Sequence, residues 1–364
     1  MVSIQDIRKS NATFKSSEQA FGLVAVFVGA TSGIGMGSLR QFAKNAKAPK
    51  IYILGRSKSA ATPLLSEIKT LNPEGIYEFI ETEISLIKNV DKACDEIKSK
   101  EKKVDLVFTS PGFLAFGGRK GFYRYFSTML KTLTINIESE EGIDIPHALR
   151  YYSRLRFIYN LIPLLKASLL PRVISILAGG EESAIDIHDL EVKNYFTFIK
   201  AAENGTTQTT LAFEELAKTN PEITFIHKYP GFVNSGVIDR LLASAAGLYA
   251  IPAYVARWTM VPIANLFSMT VDEAGERVLF LATSSRFPAS RTTETVGVPL
   301  PSGVNLADAS VIKDGVSNGV YRLLANDGSA KESPVMVGYR QDRTDKLVWE
   351  ETQAVWERAL ARSA

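Results

Sequence analysis

The sequence is poor in the residues that build disulfide frameworks and metal centres. It contains one cysteine, Cys94, and three histidines, His147, His188 and His227. A single cysteine excludes an intramolecular disulfide framework and a cysteine-rich metal site, and it fits a reducing compartment. The histidines show no H-E-x-x-H spacing, which argues against a zinc hydrolase. We therefore predict no metal site.

The chain also lacks a large net charge and a targeting signal. Its 42 basic and 39 acidic residues give a formal net charge of +3, which is too small to suggest a nucleic-acid partner. The first residues contain no apolar run typical of a signal peptide, and the last residues, ALARSA, match no prenylation or peroxisomal signal. We expect a cytoplasmic protein without a transmembrane segment.

What the sequence does contain is an alternation of strand-length apolar runs and helical stretches. Several runs are apolar on both faces, as strands of a buried parallel sheet are. The alternation predicts an α/β fold with a Rossmann-type doubly wound parallel sheet. The predicted strands are Phe21–Val28, Lys50–Leu54, Ile76–Thr82, Val104–Thr109, Arg172–Leu177, Ile223–Lys228 and Val320–Ala325. The predicted helices are Ile34–Lys47, Ala60–Leu71, Val90–Lys100, Pro146–Leu169, Ala201–Lys218, Val271–Thr283 and Leu347–Leu360.

The strongest local signal is a glycine-rich turn between the first strand and the first predicted helix. Gly29 allows the tight turn out of the strand, Gly33 lets the backbone approach a diphosphate, and Gly35 lets the helix pack on the sheet. The helix start offers backbone N–H groups and a partial positive charge, and Ser32 adds a hydroxyl donor. We predict that a dinucleotide cofactor binds here, with contacts from Gly29, Thr31, Ser32, Gly33, Ile34 and Gly35.

The second predicted strand is followed by Arg56, Ser57 and Lys58, at the point where a dinucleotide-binding fold selects its cofactor. An acidic residue here would hydrogen-bond the ribose 2′-hydroxyl of NAD. A guanidinium instead pairs with a phosphate through two parallel hydrogen bonds. These three residues therefore predict NADP(H).

No repeat, low-complexity tract or Gly/Ser linker divides the 364 residues, which predicts a single domain. Its cofactor-binding core would comprise about residues 20–236 and 271–330, followed by a C-terminal extension over 331–364. Residues 237–270 form an insertion with an apolar part, Leu241–Phe267. Arg240 and Arg257 bracket only sixteen residues, fewer than the about 20 apolar residues that a membrane span needs. The apolar part fits a pair of buried helices, a lid over an apolar substrate pocket, or a peripheral membrane contact.

Residues 20–285 resemble the short-chain dehydrogenase/reductase family. The segment Gly29-Ala-Thr-Ser-Gly-Ile-Gly35 is similar to the family's T-G-x-x-x-G-I-G turn, with Val28 in place of the threonine. Glu83 stands where the family has an aspartate near the adenine, and Thr109-Ser-Pro-Gly112 takes the place of N-N-A-G. The run Pro230-Gly-Phe-Val-Asn-Ser235 resembles the P-G-x-V-x-T loop that closes over the nicotinamide. The resemblance adds Glu83, Ser110, Pro111, Gly112, Pro230, Gly231, Val233 and Ser235 to the predicted cofactor contacts.

The family's catalytic Asn-Ser-Tyr-Lys tetrad is incomplete in this sequence. Leu177 or Ala178 occupies the serine position, Phe196 the tyrosine position, and Arg150 falls near the asparagine position. Only Lys200 matches cleanly, and the resemblance implies that it binds the nicotinamide ribose.

A tyrosine elsewhere is predicted to replace the missing acid. The helical stretch His147–Phe157 carries Tyr151 and Tyr152 beside Arg150 and Arg154, and neighbouring arginines would lower a tyrosine pKa. The predicted catalytic residues are Tyr152, Tyr151, Tyr195, Lys200 and Arg150. Glu181 and Glu182 are interpreted as solvated loop carboxylates, and His227 and Tyr229 as structural residues.

The run A-L-x-Y-Y-S-R-x-R-F, with S-P-G after the fourth strand, is similar to a divergent fungal branch of this family. In that branch the tetrad is often incomplete, and the substrates tend to be polyketides or terpenoids of secondary metabolism. The resemblance implies an NADPH-dependent reductase of a ketone or conjugated enone on an apolar small molecule. The alternatives are a non-redox isomerase, dehydratase or cyclase that retains NADP(H), and an inactive NADPH-binding protein. A homodimer is a further expectation, because the family often dimerises through the helices that follow its fourth and fifth strands.

Overall fold

A computed structural model of the chain describes residues 1–112, 138–194, 197–236, 254, 258, 268–291 and 296–363. Its strands are β1 Val24–Val28, β2 Lys50–Gly55, β3 Ile76–Glu81, β4 Leu106–Thr109, β5 Arg172–Ile176, β6 Thr224–Lys228, β7 Ile312–Lys313, β8 Val316–Ser317 and β9 Val320–Leu323. Seven of them form a parallel sheet in the order β3-β2-β1-β4-β5-β6-β9, while β7 and β8 form a separate hairpin. The seven predicted strands and the doubly wound α/β fold are confirmed.

The central strands end side by side at one edge of the sheet. The register pairs Val28 of β1 with Thr109 of β4, Thr109 with Ser175 of β5, and Ser175 with His227 of β6. Every residue of β1, β4, β5 and β6 is buried, which explains why apolar side chains occur on both faces of these strands. Because all these strands run in one direction, their carboxyl ends share one edge, which carries the loops considered below.

Helices cover both faces of the sheet. They are α1 Ile4–Ser16, α2 Gly33–Asn45, α3 Lys58–Leu71, α4 Ile87–Lys100, α5 Ile145–His147, α6 Ser153–Lys166, α7 Phe198–Thr219, α8 Val271–Thr283, α9 Pro334–Gln341 and α10 Thr344–Ser363. Helices α1, α2, α3 and α8 share one apolar core with the sheet, and α4, α6, α7, α9 and α10 share the other.

The N-terminal helix α1 has no counterpart among the predicted helices, because most of its residues are polar. Ile7 and Phe14 nevertheless form a narrow buried stripe on it. Next to that stripe Arg8 pairs with Glu276 of α8 at 3.0 Å, and Asn11 donates to the Glu276 carbonyl at 2.9 Å. Tertiary contacts therefore stabilise a helix that its own composition indicates weakly.

The helix predicted over Pro146–Leu169 is interrupted near its start. A π-helical turn, Ala148–Tyr152, lies between α5 and α6, and the N–H of Ser153 donates to the Ala148 carbonyl five residues earlier. Such a turn inserts one residue into the helical repeat and is common at functional sites.

The C-terminal helix α10 covers the outer side of the π-helical turn and of α7. Its Trp356 is buried, donates from Nε1 to the Tyr152 carbonyl at 3.2 Å, and lies 5.0 Å beneath the guanidinium of Arg156. The helices that follow β4 and β5 are thus partly covered by the chain itself. The homodimer expected through these helices stays a prediction.

Within the described part of the chain, none of the helices combines the length and the apolar composition that a membrane crossing requires. The apolar part Leu241–Phe267 lies outside the described residues, except for Tyr254 and Trp258, whose exposed rings have centroids 6.2 Å apart.

Candidate active site at the carboxyl edge of the sheet

The glycine-rich turn lies where the order of the strands reverses, between β1 and β4. Gly29 has a φ of 79°, and a Cβ built on it would lie 2.5 Å from the backbone nitrogen of Pro111. Gly35 is equally constrained, because its Cβ would lie 2.4 Å from the Gly29 carbonyl oxygen and 2.6 Å from the Ser110 hydroxyl. Side chains at these two positions would force the turn away from the loop after β4.

The start of α2 presents backbone donors at this turn. The first intrahelical hydrogen bond runs from the Met36 N–H to the Ser32 carbonyl, so the N–H groups of Gly33, Ile34 and Gly35 precede the helical ladder. Thr31 and Ser32 are exposed beside them. A helix N-terminus with unbonded N–H groups and no bulky side chain fits a diphosphate.

The loop after β4 holds this turn in place. Ser110 donates its hydroxyl to the Gly29 carbonyl at 3.0 Å, and its N–H donates to the Val28 carbonyl at 2.9 Å. Pro111 is buried, and Gly112 is exposed. Ser110 and Pro111 therefore fix the conformation of the glycine-rich turn.

The end of β2 offers a second helix start. Arg56 and Lys58 are exposed, and Ser57 caps α3 by accepting the Ala60 N–H at 3.2 Å. One acidic group is close, since Glu81 of β3 accepts the Lys58 N–H at 3.3 Å. The start of α3 thus combines two basic side chains, a hydroxyl and the partial positive charge of a helix N-terminus, and one carboxylate, that of Glu81, lies next to it.

Glu83 lies in the loop after β3 and is committed to a local turn. Its Oε1 accepts the Ser85 N–H at 3.1 Å, and its carbonyl accepts a hydrogen bond from the Asn89 side chain at 3.1 Å. The carboxylate is partly buried. Its predicted contact with the adenine half of a cofactor stays a prediction.

The loop after β6 lies over the glycine-rich turn. Gly231 allows the loop to turn, with a φ of 71°. A Cβ built on Gly33 would lie 3.1 Å from the Ser235 Cβ. The N–H of Asn234 donates to the Met269 carbonyl at 2.9 Å and fixes the end of the loop. The structure therefore brings two motifs together that are about 200 residues apart, and Pro230 and Val233 belong to the same loop.

The two tyrosines predicted to replace the catalytic acid are buried instead. Tyr151 and Tyr152 have 0% and 1% exposure, and the Tyr151 hydroxyl lies 2.6 Å from the Thr352 hydroxyl of α10. Burial raises the pKa of both hydroxyls, so the predicted lowering of the pKa is wrong. A hydroxyl without exposed surface cannot reach a substrate, and we assign both rings to packing.

Arg150, near the family's asparagine position, is also buried, with 8% exposure. Burial lowers its pKa, and the nearby Asp144 opposes that effect. Its side chain fills the space above Gly205 of α7, where a built Cβ would lie 2.6 Å from the Arg150 Cδ. The glycine of the K-A-A-x-x-G segment therefore makes room for this arginine.

Lys200 lies in the first turn of α7 and is exposed. The Thr197 hydroxyl caps this helix by accepting the Lys200 N–H at 3.1 Å. Tyr195 and Phe196 lie outside the described residues. Of the predicted catalytic residues within the described ranges, Lys200 alone is exposed.

Behind the loop after β5 lies a buried polar chain that the sequence did not reveal. His227 Nε2 accepts the Ala178 N–H at 3.2 Å, and its Nδ1 lies 2.8 Å from the Thr210 hydroxyl. Thr210 donates onward to Glu182 at 2.6 Å, and Glu182 pairs with Arg322 of β9 at 3.1 Å. His227 thus supports the backbone of Ala178, one of the two residues aligned with the family's serine position.

The interpretation of Glu182 as a solvated carboxylate is wrong, while Glu181 is exposed. Burial alone would raise the pKa of Glu182, but the guanidinium of Arg322 and the Thr210 hydroxyl hold it below its ordinary value. Burial lowers the pKa of His227 to about 4, so its ring is neutral at pH 7. Arg322 lies 140 residues from Glu182, so sequence patterns carried no signal for this pair.

Comparisons with known proteins agree with this architecture. No protein-family model matches the chain. The oxidoreductase AN1596 of Emericella nidulans is 36% identical over 362 residues, and the match covers 100% of both chains. The NmrA-like family domain-containing oxidoreductase notO of an Aspergillus species is 34% identical, over 98% of this chain and 95% of that one. The short-chain dehydrogenase/reductase SAT2 of Stachybotrys chartarum is 29% identical, over 97% of this chain and 96% of that one.

Among solved structures, the Pseudomonas aeruginosa RhlG/NADP complex shares the fold. Its TM-score is 0.51 at 16% identity, over 80% of this chain and 98% of that one. The full-length relatives, the sheet order and the glycine-rich turn lead to one conclusion. The chain belongs to the short-chain dehydrogenase/reductase family of oxidoreductases, and the relatives named above are fungal proteins.

Proposed function

We propose that the protein is an NADPH-dependent reductase of a ketone or conjugated enone on an apolar small molecule, of polyketide or terpenoid type. The observation that carries the proposal is a pair of helix N-termini at neighbouring strand ends. The start of α2 presents the N–H groups of Gly33, Ile34 and Gly35, and the start of α3 is flanked by exposed Arg56 and Lys58. Two anion sites at adjacent strands match the diphosphate and the 2′-phosphate of one dinucleotide.

The chain's own residues would divide the work of binding along the edge. The start of α2 would hold the diphosphate, and Arg56, Ser57 and Lys58 would hold the 2′-phosphate. The loop Pro230–Ser235 would cover the nicotinamide half, and Lys200 would bind its ribose. When bound, the dinucleotide supplies a hydride from its nicotinamide ring.

Exposed apolar side chains at this edge support an apolar substrate. Phe232, in the loop after β6, is 73% exposed, and Ile199, next to Lys200, is 66% exposed. A large apolar side chain left in water at the mouth of a site gains free energy when a ligand covers it. Both residues therefore favour a substrate with an apolar body.

Proton transfer in this site would not use the buried tyrosines. In the described part of the chain, Lys200 is the predicted catalytic residue that reaches the surface. An enone reductase can dispense with a serine and tyrosine pair more easily than a ketone reductase, because hydride transfer needs mainly orientation and an electrostatic partner for the oxygen.

The test combines binding with turnover. Calorimetry should show heat with NADPH and a weaker response with NADH, and NADPH absorbance should fall when apolar enones and ketones are added. A protein that gives no heat with NADPH or NADP⁺ would overturn the proposal.

The incomplete tetrad favours a second candidate, a non-redox isomerase, dehydratase or cyclase that retains NADP(H). Ala178 lacks the serine hydroxyl, and Tyr151 and Tyr152 are buried. Product mass separates the candidates, because reduction adds two hydrogens while the alternative leaves the mass unchanged or removes water.

A further inference from the structure

Arg154, in the first turn of α6, ties together the ends of two strands and the π-helical turn. Its Nε donates to the Leu149 carbonyl at 3.0 Å. Its Nη1 donates to the Ser175 hydroxyl at 2.9 Å and to the Ile176 carbonyl at 2.7 Å, at the end of β5. Its Nη2 donates to the Pro111 carbonyl, in the loop after β4. A planar guanidinium suits this task, because its fixed N–H donors reach several acceptors at once.

Among the described residues, this guanidinium has no carboxylate partner. Arg154 is 2% exposed, and only burial and the neighbouring Arg150 act on its pKa there. Burial lowers its pKa to about 9, and the charge of Arg150 acts in the same direction, so the group is still protonated at pH 7. A buried unpaired cation is costly, and its presence calls for a reason beyond packing.

The position of the Arg154 guanidinium at the ends of β4 and β5 suggests that reason. In a doubly wound sheet the diphosphate lies at the reversal of strand order, here between β1 and β4. Arg56, after β2, marks the adenine side of that point. The nicotinamide half must then extend over the ends of β4 and β5, which Arg154 joins. A Cβ built on exposed Gly112 would lie 3.9 Å from Arg154 Nη2, so the charge lies just beneath this surface.

We propose that Arg154 is a buried cation that makes the site bind the reduced dinucleotide more tightly than the oxidised one. The proposal rests on the proposed function. The nicotinamide ring is neutral when reduced and carries a positive charge when oxidised. A fixed cation near the ring would repel only the oxidised form, and burial would leave that repulsion poorly screened. Arg154 would thereby favour NADPH loading and NADP⁺ release.

A second buried arginine provides a matched control. Arg172 begins β5, at the opposite edge of the sheet, and is 1% exposed. It also donates to backbone carbonyls, those of Ser284 at 2.9 Å and of Phe287. Burial lowers its pKa to about 10. Neutralising Arg172 therefore also removes buried hydrogen bonds to backbone carbonyls, but the charge that is lost lies far from the carboxyl edge.

The experiment measures dissociation constants for NADPH and NADP⁺ by calorimetry in the wild type and three variants. The wild type should prefer NADPH, and Arg154→Gln should reduce that preference by roughly fivefold or more. Arg154→Lys, which keeps the charge, should retain the preference. Arg172→Gln should lower thermal stability and leave the ratio of the two constants unchanged.

Three results would overturn the inference. They are a wild type that binds NADP⁺ as tightly as NADPH, an unchanged ratio in Arg154→Gln, and an equal change in Arg172→Gln. If Arg154→Gln does not fold, the wild-type ratio is measured at pH 7 and above the Arg154 pKa of about 9, and a preference for NADPH that stays the same overturns the inference. Absence of binding by both dinucleotides would instead reject the proposed function itself.

Discussion

The two halves of the carboxyl edge are built in different ways. Around β1 and β2 the edge consists of glycines, helix starts and exposed basic side chains, so backbone N–H groups face the surface. Around β4, β5 and β6 the edge is supported by buried polar side chains. Arg154 donates to the Ile176 carbonyl, His227 accepts the Ala178 N–H, and Glu182 accepts the Thr210 hydroxyl. The half around β1 and β2 depends on backbone N–H groups, so it tolerates little change in residue size. The half around β4, β5 and β6 depends on buried polar side chains, so it responds to changes in charge and protonation.

Gly35→Val should have the largest effect. The new Cβ would lie 2.4 Å from the Gly29 carbonyl oxygen, so the turn must open. We expect NADPH affinity to fall by about a hundredfold or more, since the helix start would no longer meet the diphosphate. Calorimetry measures this, and circular dichroism reports whether the fold persists.

The matched control is Gly338→Ala in α9, where a built Cβ meets nothing within 4 Å. It should leave binding unchanged and alter stability by no more than about 1 kcal/mol. A folded Gly35→Val protein with wild-type affinity would show that the turn does not bind the diphosphate.

Acid should destabilise the β5 and β6 half through His227. The pKa of this group is lowered to about 4 in the folded state and is near 6.5 in the unfolded chain. The unfolded state therefore takes up a proton first, so stability is complete above about pH 7 and is lost as the pH falls towards 4. We expect a loss on the order of 2 to 3 kcal/mol, measured by urea unfolding across that range.

His227→Gln should flatten this pH dependence, although it also lowers stability at pH 7. His188→Gln, at an exposed position, should leave the slope unchanged. An identical slope in His227→Gln would place the acid sensitivity elsewhere.

Arg56→Ala should lower NADPH affinity by roughly tenfold or more, because a charge-assisted contact with the 2′-phosphate is lost. NADH affinity should stay the same, because NADH has no 2′-phosphate. The control Arg8→Ala removes an exposed arginine that pairs with Glu276. Equal losses for NADPH and NADH would remove Arg56 from cofactor selection.

Lys200→Ala and Tyr152→Phe should separate exposed from buried candidates. We expect Lys200→Ala to lower kcat by about tenfold, as expected for loss of a group that positions the reacting parts. Tyr152→Phe should stay within about twofold of wild type, because its hydroxyl is buried. Steady-state kinetics with NADPH provide the measurement, and the reverse order would return the acid role to Tyr152.

Tyr151→Phe should show the smallest effect. It removes the buried hydrogen bond to Thr352, which costs about 1 kcal/mol of unfolding free energy. The double variant Tyr151→Phe with Thr352→Val should recover part of that loss, since no polar group is left unpaired. Urea unfolding measures both, and turnover should not change.

The half of the edge around β1 and β2 could be predicted from the sequence, and the half around β4, β5 and β6 could not. The strand positions and the glycine-rich turn were predicted because they depend on local periodicity and on backbone freedom at Gly29. The buried state of Tyr151 was not predicted, because its partner Thr352 is 201 residues away. The same applies to the contacts that Arg154 makes with the ends of β4 and β5, 43 and 22 residues away.

The sequence by itself determined the doubly wound sheet, the dinucleotide turn and the incompleteness of the tetrad, because each depends on residue identity and short-range spacing. Only the tertiary structure decided which polar side chains are buried, which reach the edge, and how their pKa values shift. Solvation and long-range contacts set those properties, and a pattern of neighbouring residues does not contain them.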